Sequence, residues 1–236
     1  MKTFLTILVI ALTISCNTTT KQDITSATDA AQTSNETVEM PKELTEAQKI
    51  ANAYGHEQWD NVSEISFTFN VDRDGNHFER SWHWNRINNE VTSHTATDTI
   101  TYNRASVDST TQKTDQAFVN DVYWLLTPFN IATDEGTTVN YTTQKIAPIR
   151  KDTLNQLTLT YANESGGYTP GDAYDFFYTD DYKITEWVYR AKNGNEPSMI
   201  TTWENEQNFE GIKIPTMHKN EAGSFKLYFT NISLKK

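Results

Sequence analysis

The chain predicts a mainly β protein, a strongly curved antiparallel sheet of about ten strands wrapped around one or two short α-helices. Three observations predict it. Ile65, Phe67, Phe69 and Val71 alternate with Glu64, Ser66, Thr68 and Asn70, the period of a half-buried strand. Turns rich in Asn, Asp and Gly recur between short apolar runs from residue 72 onward, which links consecutive strands in antiparallel order. Phe176 and Phe177, like Trp187 and Val188, put apolar side chains on both faces of a strand, where a sheet with one wet face should alternate cleanly. A curved sheet whose concave side holds a helix or a cavity, and whose convex side is partly covered, accounts for them.

From the N-terminus, Lys2 precedes an apolar run from Phe4 to Ile14. The run is too short for a bilayer core of ~30 Å, which needs ~20 helical residues, and is suited to a secretory signal. Thr13-Ile14-Ser15-Cys16 ends it on a small residue directly before the single cysteine of the chain. This resembles the lipobox of bacterial lipoproteins, in which the thiol is acylated and becomes the mature N-terminus, although Thr13 stands where that group usually has Leu. The resemblance implies a signal peptide over 1–15, lipid attachment at Cys16 and membrane contact through its fatty-acyl chains. Asn17 is not the acidic residue that retains some lipoproteins at the inner membrane, which favours the outer membrane of a bacterial envelope, on a side the sequence leaves open. Residues 17–40 are Thr, Ser, Ala and acids with no aromatic and no apolar period. They predict a solvated tether over 16–42, with a typical reach of ~25–30 Å. Residues 43–236 read as a single β-rich domain.

In that domain Leu44, Ala47, Ile50, Ala51 and Tyr54 recur at helical spacing, with Pro41 suited to the first turn and Gly55 placed to end the helix. A strand over 64–71 meets a partner bearing Phe78, Trp82 and Trp84 across the turn Asp72-Arg73-Asp74-Gly75-Asn76. Short strands follow near 90–94 and 98–103. Phe118, Val122, Leu125 and Leu126 give a second helix, with Asp115 as cap or first-turn residue and Pro128 as its stop. After a polar stretch, strands resume at 157–161, 174–178, 182–189, 199–203, 212–214 and 225–234.

Lys and Arg number 20 against 31 Asp and Glu, a net charge of −11 that loses Lys2 if the signal is removed. No basic cluster offsets it, so a nucleic acid partner is excluded, as is electrostatic adhesion to anionic lipid. One cysteine forbids an internal disulfide, and stability must come from a core to which aromatics, 12% of residues, contribute.

The helix-to-strand stretch 44–70, the runs Val122-Tyr123-Trp124-Leu125-Leu126-Thr127-Pro128-Phe129 and Gly166-Gly167-Tyr168-Thr169-Pro170-Gly171-Asp172, and Phe209-Glu210-Gly211-Ile212-Lys213-Ile214-Pro215 together resemble a group of uncharacterised Bacteroidetes-type outer-membrane lipoproteins. That group is similar in turn to the LolA/LolB-like lipoprotein-carrier superfamily. The resemblance covers most of 43–236 and implies an incomplete antiparallel β-barrel over a helical lid, enclosing an apolar cavity that in the carriers holds acyl chains. Its motifs are structural, and fold alone does not fix function.

Catalytic and metal chemistry find little support. His77 and His83 share strand parity but stand roughly 20 Å apart along a strand, too far to share an ion. Asp72-Arg73-Asp74-Gly75-Asn76 lacks the oxygen ligands and bidentate Glu of a calcium loop. No Gly-x-Ser-x-Gly elbow occurs and no carboxylate pair stands out. No catalytic residue, metal site or cofactor is therefore expected. Phe67, Phe69, Trp82, Trp84, Tyr174, Phe176 and Trp187 are the candidate ligand-binding residues, as cavity lining or, alternatively, as a filled core. The expected function is a non-enzymatic envelope lipoprotein holding a lipid or other apolar ligand in a half-barrel cavity. The alternatives are an interaction or scaffold module that binds protein or glycan in a surface complex, and an uncharacterised hydrolase.

Overall fold

The computed structural model describes residues 43–164 and 168–236; the expectations for the signal peptide, Cys16 and the tether lie outside the described residues. Helix α1 spans Glu46–Ala53 and is started by a capping box, Thr45 accepting from the Gln48 amide and Gln48 reaching back to the Thr45 amide. Pro41 also falls outside the described residues, and Leu44 is exposed rather than packed. The short helix α2, His56–Trp59, leaves from Gly55 at φ 86°. A Cβ there would lie 1.9 Å from the Gly211 carbonyl oxygen, so only glycine permits this approach.

The strands are β1 (Glu64–Arg73), β2 (Asn76–Asn85), β3 (Glu90–His94), β4 (Thr99–Asn103), β5 (Thr137–Ile146), β6 (Thr153–Tyr161), β7 (Ala173–Tyr178), β8 (Ile184–Arg190), β9 (Met199–Thr202), β10 (Glu204–Phe209), β11 (Ile212–Lys219) and β12 (Phe225–Lys235), and helix α3 is Gln112–Thr133. They form a seven-stranded sheet in the order β10-β11-β12-β1-β2-β3-β4 and a five-stranded sheet in the order β5-β6-β7-β8-β9. All the pairings are antiparallel. Only Trp203 separates β9 from β10, so the chain turns a corner from one sheet into the other within a single residue. The β1–β2 hairpin closes at Asp74 and Gly75, both at positive φ, the geometry of a tight hairpin turn.

Three differences from the sequence reading have physical causes. Strands β5 and β10 were not expected: both are sheet edges whose residues are mostly exposed, so no buried face imposes an alternation. Helix α3 does not stop at Pro128 but runs through it to Thr133. Residues on both sides of Pro128, Leu125, Leu126, Phe129 and Ile131, are buried, and the Thr127 hydroxyl bonds back to the Tyr123 carbonyl, so packing holds the helix across the lost amide. Finally, α3 is not a short helix: its 22 residues take up the concave side, where Phe118, Trp124 and Leu125 join Phe67, Phe69, Trp82, Phe176 and Trp187 in one aromatic core. Each such ring contributes roughly 1.5–3 kcal/mol by burial.

Candidate binding cleft

The two sides of α3 pack differently. Toward the seven-stranded sheet, Asp121 is 0% exposed and takes two hydrogen bonds from Arg80, at 2.5 and 2.6 Å, and one from the Trp82 indole at 2.7 Å. Burial pushes the Asp121 carboxyl up, and the Arg80 bonds oppose that shift. Phe118 packs edge-on against Trp82 and Trp84 at 5.3 and 5.4 Å. This contact is closed.

Toward the five-stranded sheet the packing opens into two adjoining recesses that share Val119, Tyr123, Tyr168 and Thr169. The larger, about 450 Å³, is bounded by Arg104, Phe118, Asn130, Asp134, Glu135 and Tyr161 among others. The smaller, about 220 Å³, lies against Trp124, Tyr174, Trp187, Tyr189 and Met199. Its aromatic wall is built by strand pairing: Tyr174 of β7 stands opposite Tyr189 of β8, with ring centroids 5.2 Å apart and stacked, and Trp187 stacks on Tyr174 at the same 5.2 Å separation. Tyr123 closes over Tyr174 from the helix at 5.0 Å.

The polar groups of the cleft are ordered by a short relay. The Tyr161 hydroxyl donates to Asp134 at 2.5 Å and lies 3.3 Å from the Tyr123 oxygen. Burial holds the Asp134 carboxyl above the ordinary carboxylate range, while bonds from Tyr161 and Asn130 draw it down. Burial also pushes the hydroxyls of Tyr123, Tyr161 and Tyr174 up, with the neighbouring Asp134 charge adding to each, so all three stay protonated. Beside them Asp115, in the first turn of α3, is buried and accepts from Tyr102 at 3.0 Å, Arg104 at 3.0 Å and Tyr168 at 2.8 Å.

Of the residues singled out in the sequence, Tyr174 and Trp187 line the smaller recess. Phe67, Phe69, Trp82 and Phe176 are buried and Trp84 is half-buried, and these five line neither recess. Tyr123, Trp124, Tyr161, Tyr189 and Asp134 border the cleft without having been singled out. Tyr189 shares strand parity with Trp187 and was findable on that basis. Tyr123 and Trp124 sit in an apolar helix where aromatics read as core. Among the described residues, no group of three or more His, Cys, Asp and Glu side chains converges as a metal site, and no helix is long and apolar enough to cross a membrane.

No family model and no curated protein matches the chain. Among solved structures it is similar to the crystal structure of a DUF1329 family protein from Desulfovibrio piger ATCC 29098, at 11% identity over 80% of this chain and 92% of that one, with a TM-score of 0.43. So distant a likeness carries no argument, and the functional reading rests on the cleft itself.

Proposed function

We propose that the chain is a membrane-anchored binding protein that holds one small amphiphile in the cleft between α3 and the five-stranded sheet and performs no chemistry on it. One observation carries the reading: two adjoining recesses, both mainly apolar, an aromatic one of about 220 Å³ and a more polar one of about 450 Å³ that Asp134 and Glu135 border. Sites for small ligands span roughly 300–1,000 Å³ and combine an apolar lining with a few placed polar groups. A single-chain ligand suits that space better than a diacyl lipid, because α3 occupies the concave side of the sheet. The anchor is Cys16, whose two or more acyl chains would suffice for stable attachment.

Native mass spectrometry of the full chain carrying Cys16→Ser tests the binding reading; one bound amphiphile per chain is expected. A chain that neither copurifies with nor takes up any amphiphile overturns it. Fractionation of the same variant tests the anchor. Cys16→Ser should leave the membrane fraction, and its full retention there overturns acylation at that residue.

A second reading, an interaction module, is favoured by β5, whose residues are exposed almost throughout and which presents Val139, Tyr141 and Ile146 to solvent on an open sheet edge. A stoichiometric protein partner lost on Tyr141→Lys would establish it.

A further inference from the structure

The polar end of the cleft has a sign. Two carboxylates, Asp134 and Glu135, border the larger recess, Glu135 exposed and Asp134 half-buried. Arg104 is the only basic side chain among the described lining residues, and a buried carboxylate offsets its charge. Its Nε donates to the buried Asp115 at 3.0 Å, and its guanidinium lies over the Phe118 ring at 5.3 Å. The hydroxyls run the same way. A phenol has one hydrogen; Tyr161 directs its own to Asp134, so across the 3.3 Å contact it is Tyr123 that donates to Tyr161. The relay therefore ends in lone pairs on Tyr123 and on the carboxylates, all of them acceptors. Asp115 offsets the one cation, so Asp134 and Glu135 have no cationic partner among the described lining residues.

We infer that the cleft selects an amphiphile with a cationic nitrogen head that carries N–H donors, a protonated amine, placed against Asp134 and Glu135 while its apolar body lies along Trp124, Tyr174, Trp187 and Met199. The inference rests on the cleft being the binding site and adds the chemical class of the ligand. Electron-rich ring faces also attract such a head, and Tyr123, which lines both recesses, offers one. Burial first, then the charge of Asp172 and behind it that of Asp134, disfavour ionisation of Tyr174, and burial with the Asp172 hydrogen bond does the same at Tyr189; the same carboxylate charges oppose an anionic head. The net charge of −11 draws cations toward the molecule and repels fatty acid carboxylates.

The test titrates the full chain carrying Cys16→Ser, in detergent-free buffer at neutral pH, with dodecylammonium, dodecanoate and dodecyl maltoside below their micellar concentrations. Binding is followed by tryptophan fluorescence and calorimetry. One dodecylammonium per chain should bind at least ~tenfold more tightly than dodecanoate, the scale of one charge-assisted hydrogen bond. In the double variant Asp134→Asn/Glu135→Gln the preference should fall to under ~threefold, with the circular dichroism spectrum and melting temperature showing that the fold is kept. Equal affinity for all three probes overturns the head-group inference and leaves the cleft reading intact. So does a preference that survives the double variant, or ammonium uptake at many equivalents per chain, which is adhesion to an acidic surface. No binding of any probe overturns the cleft reading itself.

Discussion

Helix α3 faces two sheets and meets them on different terms. Against the seven-stranded sheet it is locked: a fully buried carboxylate is saturated by Arg80, Trp82 and Asn120, and phenylalanine rings fill the remaining space. Against the five-stranded sheet Tyr123 and Trp124 touch the ring wall at Tyr174 and Trp187, yet two recesses remain beside these contacts. Buried ionic groups are costly unless fully partnered, so the saturated side is where a change should unfold the protein. The open side makes fewer demands on stability and is free to carry recognition. Stability and binding are thus divided across one helix, and substitutions on the two sides should separate them.

The largest separation is expected at Asp121. Asp121→Ala strands the Arg80 guanidinium and the Trp82 indole beside an apolar core, and breaking a buried pair in this way costs about 3–5 kcal/mol. Urea unfolding should report that loss in the midpoint, while whatever affinity the folded fraction has for its ligand stays at the wild-type level. A loss below ~1 kcal/mol would mean that the locked side is not what holds α3.

A second effect comes from the corner between the sheets. His218 is 0% exposed, lies 5.2 Å from Trp124, 4.6 Å from Trp203 and 6.1 Å from Phe229, and donates from Nδ1 to the Thr202 carbonyl at 3.3 Å. Burial brings its pKa down to about 3 from 6.5. Between those values the unfolded chain binds a proton that the folded chain refuses, so stability is complete above pH 6.5 and falls as pH drops toward 3. The slope is about 1.4 kcal/mol per pH unit for one proton, on the order of 2–3 kcal/mol between pH 6.5 and pH 4.5. Melting curves of wild type and His218→Leu, compared across that range, isolate the imidazole from the carboxylates common to both. Parallel curves would show that the corner is not proton-sensitive.

Gly55 carries the next effect. Its φ of 86° and the 1.9 Å approach of a Cβ to the Gly211 carbonyl make Gly55→Ala strained twice over. A loss of ~2 kcal/mol is expected, read as a lower urea midpoint, since the helical corner must move off the β10–β11 turn. Because Gly55 lines neither recess, ligand affinity should not follow.

What was legible in the sequence follows the same division. The hairpin over 64–85 and the turn at Asp74-Gly75 announce themselves by a clean alternation, and the strands bearing Tyr174, Phe176 and Trp187 by apolar runs that the structure buries on both faces. Strand β5 is silent because its pairing with β6 comes from backbone bonds, with little burial to pattern its side chains. Pro128 misleads because a local rule is overridden by the aromatic core around it. The cleft was half legible. Its sheet wall, Tyr174 and Trp187, follows from strand parity, whereas its helix wall, Tyr123 and Trp124, depends on how α3 is rotated between two sheets, which neither periodicity nor composition encodes.

The smallest stability effect is expected at Tyr123, and it is the sharpest test of the comparison. Tyr123→Phe keeps the ring that packs on Tyr174 at 5.0 Å and removes only the hydroxyl that donates to Tyr161 across 3.3 Å. That bond is long, and Tyr161 keeps its stronger partner Asp134, so the melting temperature should shift by an amount corresponding to less than ~1 kcal/mol. The acceptor at the junction of the two recesses is lost, however, and affinity for the amphiphile should fall ~tenfold, the scale of one hydrogen bond to a charged group. A variant that binds as wild type but melts markedly lower would reverse the assignment of the two sides. Tyr123 would then be a structural residue, and the open side of α3 would differ from the locked side in packing density rather than in purpose.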